Sequence, residues 1–449
     1  MNEVMTDQFI NDIITMQKEA VPESVYSHAR LCLLDYIACA VAGAKLYADK
    51  ELAYLQSAAS DVGVCSVLGH HIKTTMQTAS MINGISAHVI ELDDGHRIGM
   101  IHLGAPIISA LLAVAEKENM SSDDFLYGIV IGYEVAIRLA CATQPGCKLK
   151  GFHATGVCGT VGATMAIAAA LKFDFEQTKS AFSAATTSAS GLLEMIEGNT
   201  HLKPFNAGRA AMDAVAAAYI GKAGFRAPED ALGGKRGFLH AVTDSVKMEF
   251  LTEFKKDFYY IDTIYNKPYA SCRHTHPSIE AAMQIRLQKG FCLEDIESIS
   301  VDTYKLAVNG HDHTDIKGVN SAKMSIPYSL AVALVTGKAG LDEYSEKNVK
   351  DPKILGVTSK ISVKDVDKLT ELCPQKRVAV VKVNTKSGQY TSRIEYPKGE
   401  PENPLTQEEF QQKFEGLMSF AGYDKNVCDA LIDKVNSSNV HINEITSIL

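Results

Sequence analysis

The chain has 449 residues, of which 46% are hydrophobic and 22% charged, with a formal net charge of −9. At about 150 residues per domain that length calls for two or three structural units, and a chain this apolar can bury enough surface to offset its ordering entropy, so disorder is excluded as the main state. The acidic balance argues against nucleic acid as a partner, since phosphate binding needs concentrated Lys and Arg. It leaves room for a small anionic substrate held in one local basic pocket.

The N-terminal stretch MNEVMTDQFINDII carries acids early and is expected not to be a secretory leader. Ala105 to Ala115 is the longest apolar run, about half of the roughly 20 residues a membrane span needs, so no membrane is expected. Ten cysteines show no C-x-x-C pair, which disfavours a zinc ribbon, and those in apolar helices read as core residues of a cytoplasmic protein.

The first half predicts helix after helix. PESVYSHARLCLLDYIACAVAG places Val25, Ala29, Leu33, Tyr36, Ile37 and Ala40 on one stripe, begins at Pro22 and is expected to stop near Gly43. Ser121 or Ser122 caps the next helix, with Asp123 and Asp124 at its positive end. GTVGATMAIAAALK, FEQTKSAFSAATTSASGLL and RAAMDAVAAAYIGKAG follow, rich in small residues that let helices approach closely. After about Asn266 the period changes. Ile296 to Lys305 and Lys360 to Val366 alternate as strands. Arg377 to Val383 and Tyr390 to Tyr396 read as hairpin arms around NTKSGQ. Pro277 to Lys289 and Ile326 to Thr336 read as helices, and the chain is helical again from Gln407. The expected fold is mainly α, a large all-helical domain (1–265 and 403–449) with a smaller α+β lid domain (266–402) inserted before the C-terminal helices.

Five clusters carry chemistry. His88 to His96 with His102 gathers three acids and three histidines, readable as a metal site or as a helix end with solvated acids. In GFHATGVCGTVG, His153 precedes a Gly-rich turn at a helix start, a seat for a carboxylate or a plain tight turn. In HLKPFNAGRAA, Lys203 stands before Pro204, held by an anion in a pocket or exposed on a loop. NKPYASCRHTHPSIEAA brings Lys267, Cys272, Arg273, His274 and His276 together where a helix begins. Cys272 beside Arg273 is a candidate nucleophile, against the inert thiol that most cysteines are. Lys323 and Tyr328 flank a further helix start, and Tyr328 reads either as a proton donor or as packing.

These stretches resemble the MmgE/PrpD family, which includes 2-methylcitrate dehydratase, cis-aconitate decarboxylase and iminodisuccinate epimerase. The likeness runs through Asp35 to Gly43, NGISAHVIELDD, GFHATGVCGT, HLKPFNAGRAA, KPYASCRHTH and AKMSIPYSLA, in order and along essentially the whole chain. It implies a helical domain with an α+β lid, a homodimer, and no metal or organic cofactor. It also implies proton transfer at a carbon next to a carboxylate of a small di- or tricarboxylate. His102, His153, Lys203, Asp93, His274 and Tyr328 then fall on catalytic positions. Glu91, Lys267, Cys272, Arg273, His276 and Lys323 fall on substrate-binding ones. Glu91, Gly95 and Cys272 depart from the decarboxylase pattern in place of an Asp, a Thr and a His, so dehydration of a 2-methylcitrate-like hydroxy acid is expected first. Epimerisation, decarboxylation and non-catalytic carboxylate binding are the alternatives.

Overall fold

A computed structural model describes residues 4–58, 62–196 and 200–449. The first three residues of the stretch judged against a leader lie outside that range. The architecture is mainly α-helical with small sheets.

The long helices Glu23–Leu46, Met76–Val89, Gly104–Glu118, Ser122–Thr143, Ala154–Ala170 and Lys203–Lys222 pack on one another. Small residues set their spacing. A Cβ on Gly84 would come within 2.8 Å of the Gly208 Cα, and one on Gly208 within 2.3 Å of the Met81 carbonyl oxygen. The two helices therefore cross backbone to backbone. That crossing brings Lys203, at the start of one, beside Glu91, just past the end of the other.

Several boundaries differ from expectation. The first long helix runs through Gly43 to Leu46. Gly43 is a packing contact there, since a Cβ would collide with the Ser86 carbonyl. The stretch read as a Gly-rich turn after His153 is helical from Ala154, and Gly156, Gly159 and Gly162 face close neighbours. Lys203 is the first residue of its helix rather than part of a loop, with Pro204 in the first turn where its missing N–H costs nothing. Ser121 is the cap of the Ser122–Thr143 helix, accepting from the Asp124 amide. That helix is long and apolar enough to cross a membrane, yet 94% of its apolar window is buried among its neighbours. Its Arg138 and Glu134 form a buried pair at 2.7 Å. The region is not wholly helical either: β1 (Cys65–Val67) and β2 (Ile72–Thr74) form a short antiparallel hairpin.

The second sheet holds β3 (Ile296–Thr303), β4 (Ile361–Asp365), β5 (Ala379–Thr385) and β6 (Gly388–Ile394) in the order β4-β3-β5-β6. β3 pairs parallel with β4 and antiparallel with β5, and β5 with β6 antiparallel. The hairpin turn is tighter than the NTKSGQ loop predicted, because Asn384, Thr385 and Gly388 stay in the ladder. The helices His276–Arg286 and Ile326–Thr336 pack together beside this sheet. The tail helices Gln407–Ala421 and Lys425–Asn436 pack on Glu23–Leu46, and Ile442–Thr446 packs on Gly104–Glu118.

Candidate active site

A cavity of about 120 Å³ lies where the loops after Met76–Val89, the start of Ala154–Ala170 and the segments 265–274 and 311–377 converge. That is small beside the ~300–1,000 Å³ of a drug-sized ligand site. Its lining includes five cationic residues, Lys148, Lys203, Lys267, Arg273 and Arg377, and one acid, Glu91. In a chain of net charge −9 this is a concentrated anion-binding surface.

Glu91 is held at φ 59°, an uncommon backbone conformation for a non-glycine residue. Its carboxylate bridges Lys203 and Lys267, with 3.0 Å to the Lys267 Nζ. Burial raises its pKa, but the two lysines outweigh that and hold it well below the usual carboxylate range. Lys267 is fully buried and its pKa is raised, burial being overcome by Glu91 and Asp93. Glu91 and Asp93, whose Oδ1 is 3.8 Å from the Lys267 Nζ, offset the two ammonium groups, so the excess positive charge facing a substrate carboxylate is that of Lys148 and Arg377.

Asp93 lies behind the cavity. Its Oδ2 is 2.7 Å from His88 Nδ1 and 3.2 Å from His102 Nδ1. His102 Nδ1 is also 2.7 Å from the Asp94 carbonyl oxygen, which can only accept. Nδ1 therefore carries a hydrogen, which makes Nε2 the nitrogen that gives or takes a proton. His153 is arranged the opposite way. The Asn206 amide nitrogen donates to the Leu192 carbonyl and lies 3.3 Å from His153 Nδ1, so Nδ1 accepts and Nε2 bears the hydrogen. Burial, then the charges of His88, Lys203 and His102, hold His153 well below the usual histidine pKa, so it is neutral. The cavity thus contains one imidazole whose Nε2 is placed to exchange a proton and one whose Nε2 donates a hydrogen bond.

Cys272 Sγ lies 3.3 Å from His311 Nε2. His274 Nδ1 is 2.7 Å from the Tyr304 hydroxyl. Arg273 lines the cavity but spends its donors on Glu400, Lys398 and Pro397, so it ties a loop in place.

Of the residues expected from sequence, the structure brings Glu91, His102, His153, Lys203, Lys267, Cys272, Arg273 and His274 to one cavity. Asp93 stands behind His102. Three lie elsewhere. Lys323 borders an adjoining pocket of about 30 Å³ that shares Glu91, Lys203 and Met324 with the cavity. Its Nζ is 3.3 Å from the Ile90 carbonyl, and burial pushes its pKa down to about 8. His276 is fully buried between Arg273 Nη1 and the Ser271 carbonyl. Tyr328 is also fully buried and its hydroxyl donates to the Glu343 carbonyl at 2.9 Å. Neither His276 nor Tyr328 lines the cavity, because each side chain turns into the packing around its own helix start.

Sequence reading missed Lys148, His311 and Arg377. Lys148 stands five residues before His153, and His311 belongs to an His-Asp-His run, so both left a signal. Arg377 reads from the sequence as a strand residue; it sits just before β5, with a donor on the Arg97 carbonyl.

Ligand atoms of His88, Asp93 and His102 lie within 4.8 Å of one another and could hold a metal ion. Asp93 Oδ2 and the Nδ1 atoms of His88 and His102 are engaged in the contacts just described, while His88 Nε2 and Asp93 Oδ1 are buried without a hydrogen-bond partner.

A paired-domain match accounts for the arrangement. Residues 8–251 match the MmgE/PrpD N-terminal domain and residues 269–436 the MmgE/PrpD C-terminal domain. The chain belongs to the MmgE/PrpD family. It is 26% identical to the cis-aconitate decarboxylase-like protein oryM of Aspergillus oryzae, over 92% of this chain and 90% of that one. It is 24% identical to a cis-aconitate decarboxylase of Aspergillus terreus, over 92% and 89%. It is 23% identical to the cis-aconitate decarboxylase of Homo sapiens, over 75% and 71%.

Proposed function

We propose that this protein is a lyase that moves a proton at a carbon next to a carboxylate of a small di- or tricarboxylate, with elimination of water from a hydroxy acid as its reaction. The observation that carries this is the cation-lined cavity that holds His102 with Nε2 free to exchange a proton and His153 as donor.

Lys148, Lys203, Lys267 and Arg377 grip the carboxylates and stabilise the charge that develops as the carbon loses its proton. His153 Nε2–H donates to a substrate oxygen. His102, oriented by Asp93, handles the hydroxyl: its Nε2 takes a proton from water in the hydration direction and returns one to the leaving oxygen in elimination. The carbon-bound proton goes to the wall formed by Cys272, His274 and His311.

Decarboxylation is the second reading, favoured by the names of the relatives. The cations argue for elimination first, because a carboxylate held by several positive charges is stabilised in its ionised ground state, which opposes loss of CO2. Epimerisation leaned on Tyr328 as a second donor, and Tyr328 is outside the cavity. The same proposal carries the 266–402 unit as a lid, a homodimer and a cytoplasmic location; light scattering and cell fractionation test the last two.

The test is incubation of chelator-treated protein with citrate, 2-methylcitrate, related hydroxy acids and cis-aconitate. A new conjugated double bond in the ultraviolet supports elimination. Release of CO2 transfers the assignment to decarboxylation. Solvent deuterium in recovered substrate with no loss of water or CO2 indicates epimerisation. Tight binding by calorimetry with none of these changes indicates a carboxylate-binding protein.

A further inference from the structure

Cys272 precedes the short turn Arg273–Thr275, and its amide donates to the Lys323 carbonyl, so its position is fixed by backbone. His311 Nδ1 lies 2.9 Å from the Asn309 carbonyl oxygen, which accepts only, and Nε2 therefore faces Sγ. The sulfur and the ring thus share one proton inside the cavity. The step assigned above gives the carbon-bound proton to this wall without naming the atom that accepts it.

We propose that Cys272 and His311 are the pair that carries the carbon-bound proton, with Sγ as the accepting atom and the His311 ring holding the compensating positive charge. This rests on the lyase reading and names its missing base. In elimination, the C–H bond breaks and its proton passes to Sγ. The electron pair forms the C=C bond. The C–O bond breaks with its pair going to oxygen, which takes the Nε2 proton of a His102 ring that enters this direction protonated on both nitrogens, and leaves as water. The thiol proton returns to His102 through cavity water, and nothing further is consumed.

The surroundings support the ionised pair. Burial raises the Cys272 pKa, but His311 outweighs it and brings the thiol down to about 6. His311 is raised in turn by Cys272. Lys203 also lowers the thiol and Glu91 raises it, while Lys148, Lys267, Tyr304 and Tyr344 sense its charge. Low-pKa thiols of this kind sit beside a histidine or other positive charge.

The experiment has two arms on the full-length protein. Iodoacetamide, an uncharged reagent, is reacted across pH 5 to 10 and the modified peptides are identified by mass. Cys272 is expected to alkylate with a midpoint near pH 6 to 7, well before the part-exposed Cys292 and Cys373, and His311→Gln is expected to move that midpoint up by more than one pH unit. In the second arm, exchange of substrate C–H for solvent deuterium is followed in wild type and in Cys272→Ser, a near-isosteric change. A loss of at least 100-fold in Cys272→Ser, with the melting temperature kept, supports the pair. An ordinary thiol midpoint above pH 8, or exchange in Cys272→Ser within threefold of wild type, overturns the pair alone. No exchange by wild type with any acid of the panel overturns the pair and the lyase reading together.

Discussion

Asp93 Oδ2 stands 3.2 Å behind His102 Nδ1, on the side of the ring away from the cavity. The carboxylate is fully buried. Burial raises its pKa, but His102, His88 and Lys267 together hold it well below the usual range, so it is a permanent negative charge. Such a charge fixes the tautomer of its histidine and steadies the imidazolium that forms during proton transfer.

Asp93→Asn therefore keeps the cavity and loses the orienting charge. Turnover is expected to fall by about 10²–10⁴-fold, the usual worth of a positioned acid–base group, with KM changed little. Steady-state kinetics on the active acid checks this. An unchanged kcat would remove His102 from the proton path.

Among the described residues Glu91 is the only acid lining the cavity, and it is shared by two lysines. Glu91→Gln leaves Lys203 and Lys267 with reduced compensation, and loss of one partner of a buried pair costs about 3–5 kcal/mol. A lower denaturant midpoint is expected, partly restored by millimolar citrate acting as the missing counter-charge. The sign of the pH effect follows from a folded pKa depressed below the ordinary glutamate value of 4.5. The stabilisation is complete above that value and is lost as pH falls below it towards the folded pKa. Wild type should lose stability on acidification below about pH 4.5 more steeply than Glu91→Gln, as measured by urea denaturation at each pH.

Among the described residues no ion pair is formed by Lys148, and Arg377, which feels the Tyr304, Tyr265 and Glu400 charges, has a hydrogen bond to the Arg97 carbonyl. Both are available to substrate. Lys148→Ala and Arg377→Ala should each raise KM by about 10- to 100-fold with a smaller change in kcat, which is the worth of one charge-assisted hydrogen bond at about 1.5–3 kcal/mol. A fall in kcat alone would mean that the residue acts in the transition state and not in holding the acid.

Tyr328 supplies the contrasting case. Its hydroxyl serves Glu343 and its ring packs on Tyr344 at 5.7 Å. Tyr328→Phe should cost about 1 kcal/mol of stability and leave turnover within twofold. Loss of activity with stability intact would return Tyr328 to the catalytic set.

The helices and the change to strands near 296 were legible because hydrophobic period is a local signal. The helix ends were less so. Gly43 and Gly156 read as breakers, yet both are interior residues whose missing Cβ admits a neighbouring backbone, and that neighbour is far away in sequence. The site shows the same division. His102, His153, Lys203, Lys267 and Cys272 stood in dense local clusters. Tyr328 stood in one too, but its direction is set by the Glu343 carbonyl, fifteen residues on. Arg377 carried no local mark, since only the folded chain brings the start of β5 to the cavity. The tautomers of His102 and His153 depend on Asp94 and Asn206, and no spacing rule reports them.

The most direct test of the central claim is a crystal structure with tricarballylate, a tricarboxylate that has no hydroxyl to lose. The account predicts carboxylates on Lys203 and Lys267, with Lys148 or Arg377 taking another, and the carbon chain lying between His102 and Cys272. Tricarballylate bound away from these residues, or absent from the cavity at saturating concentration, would contradict it.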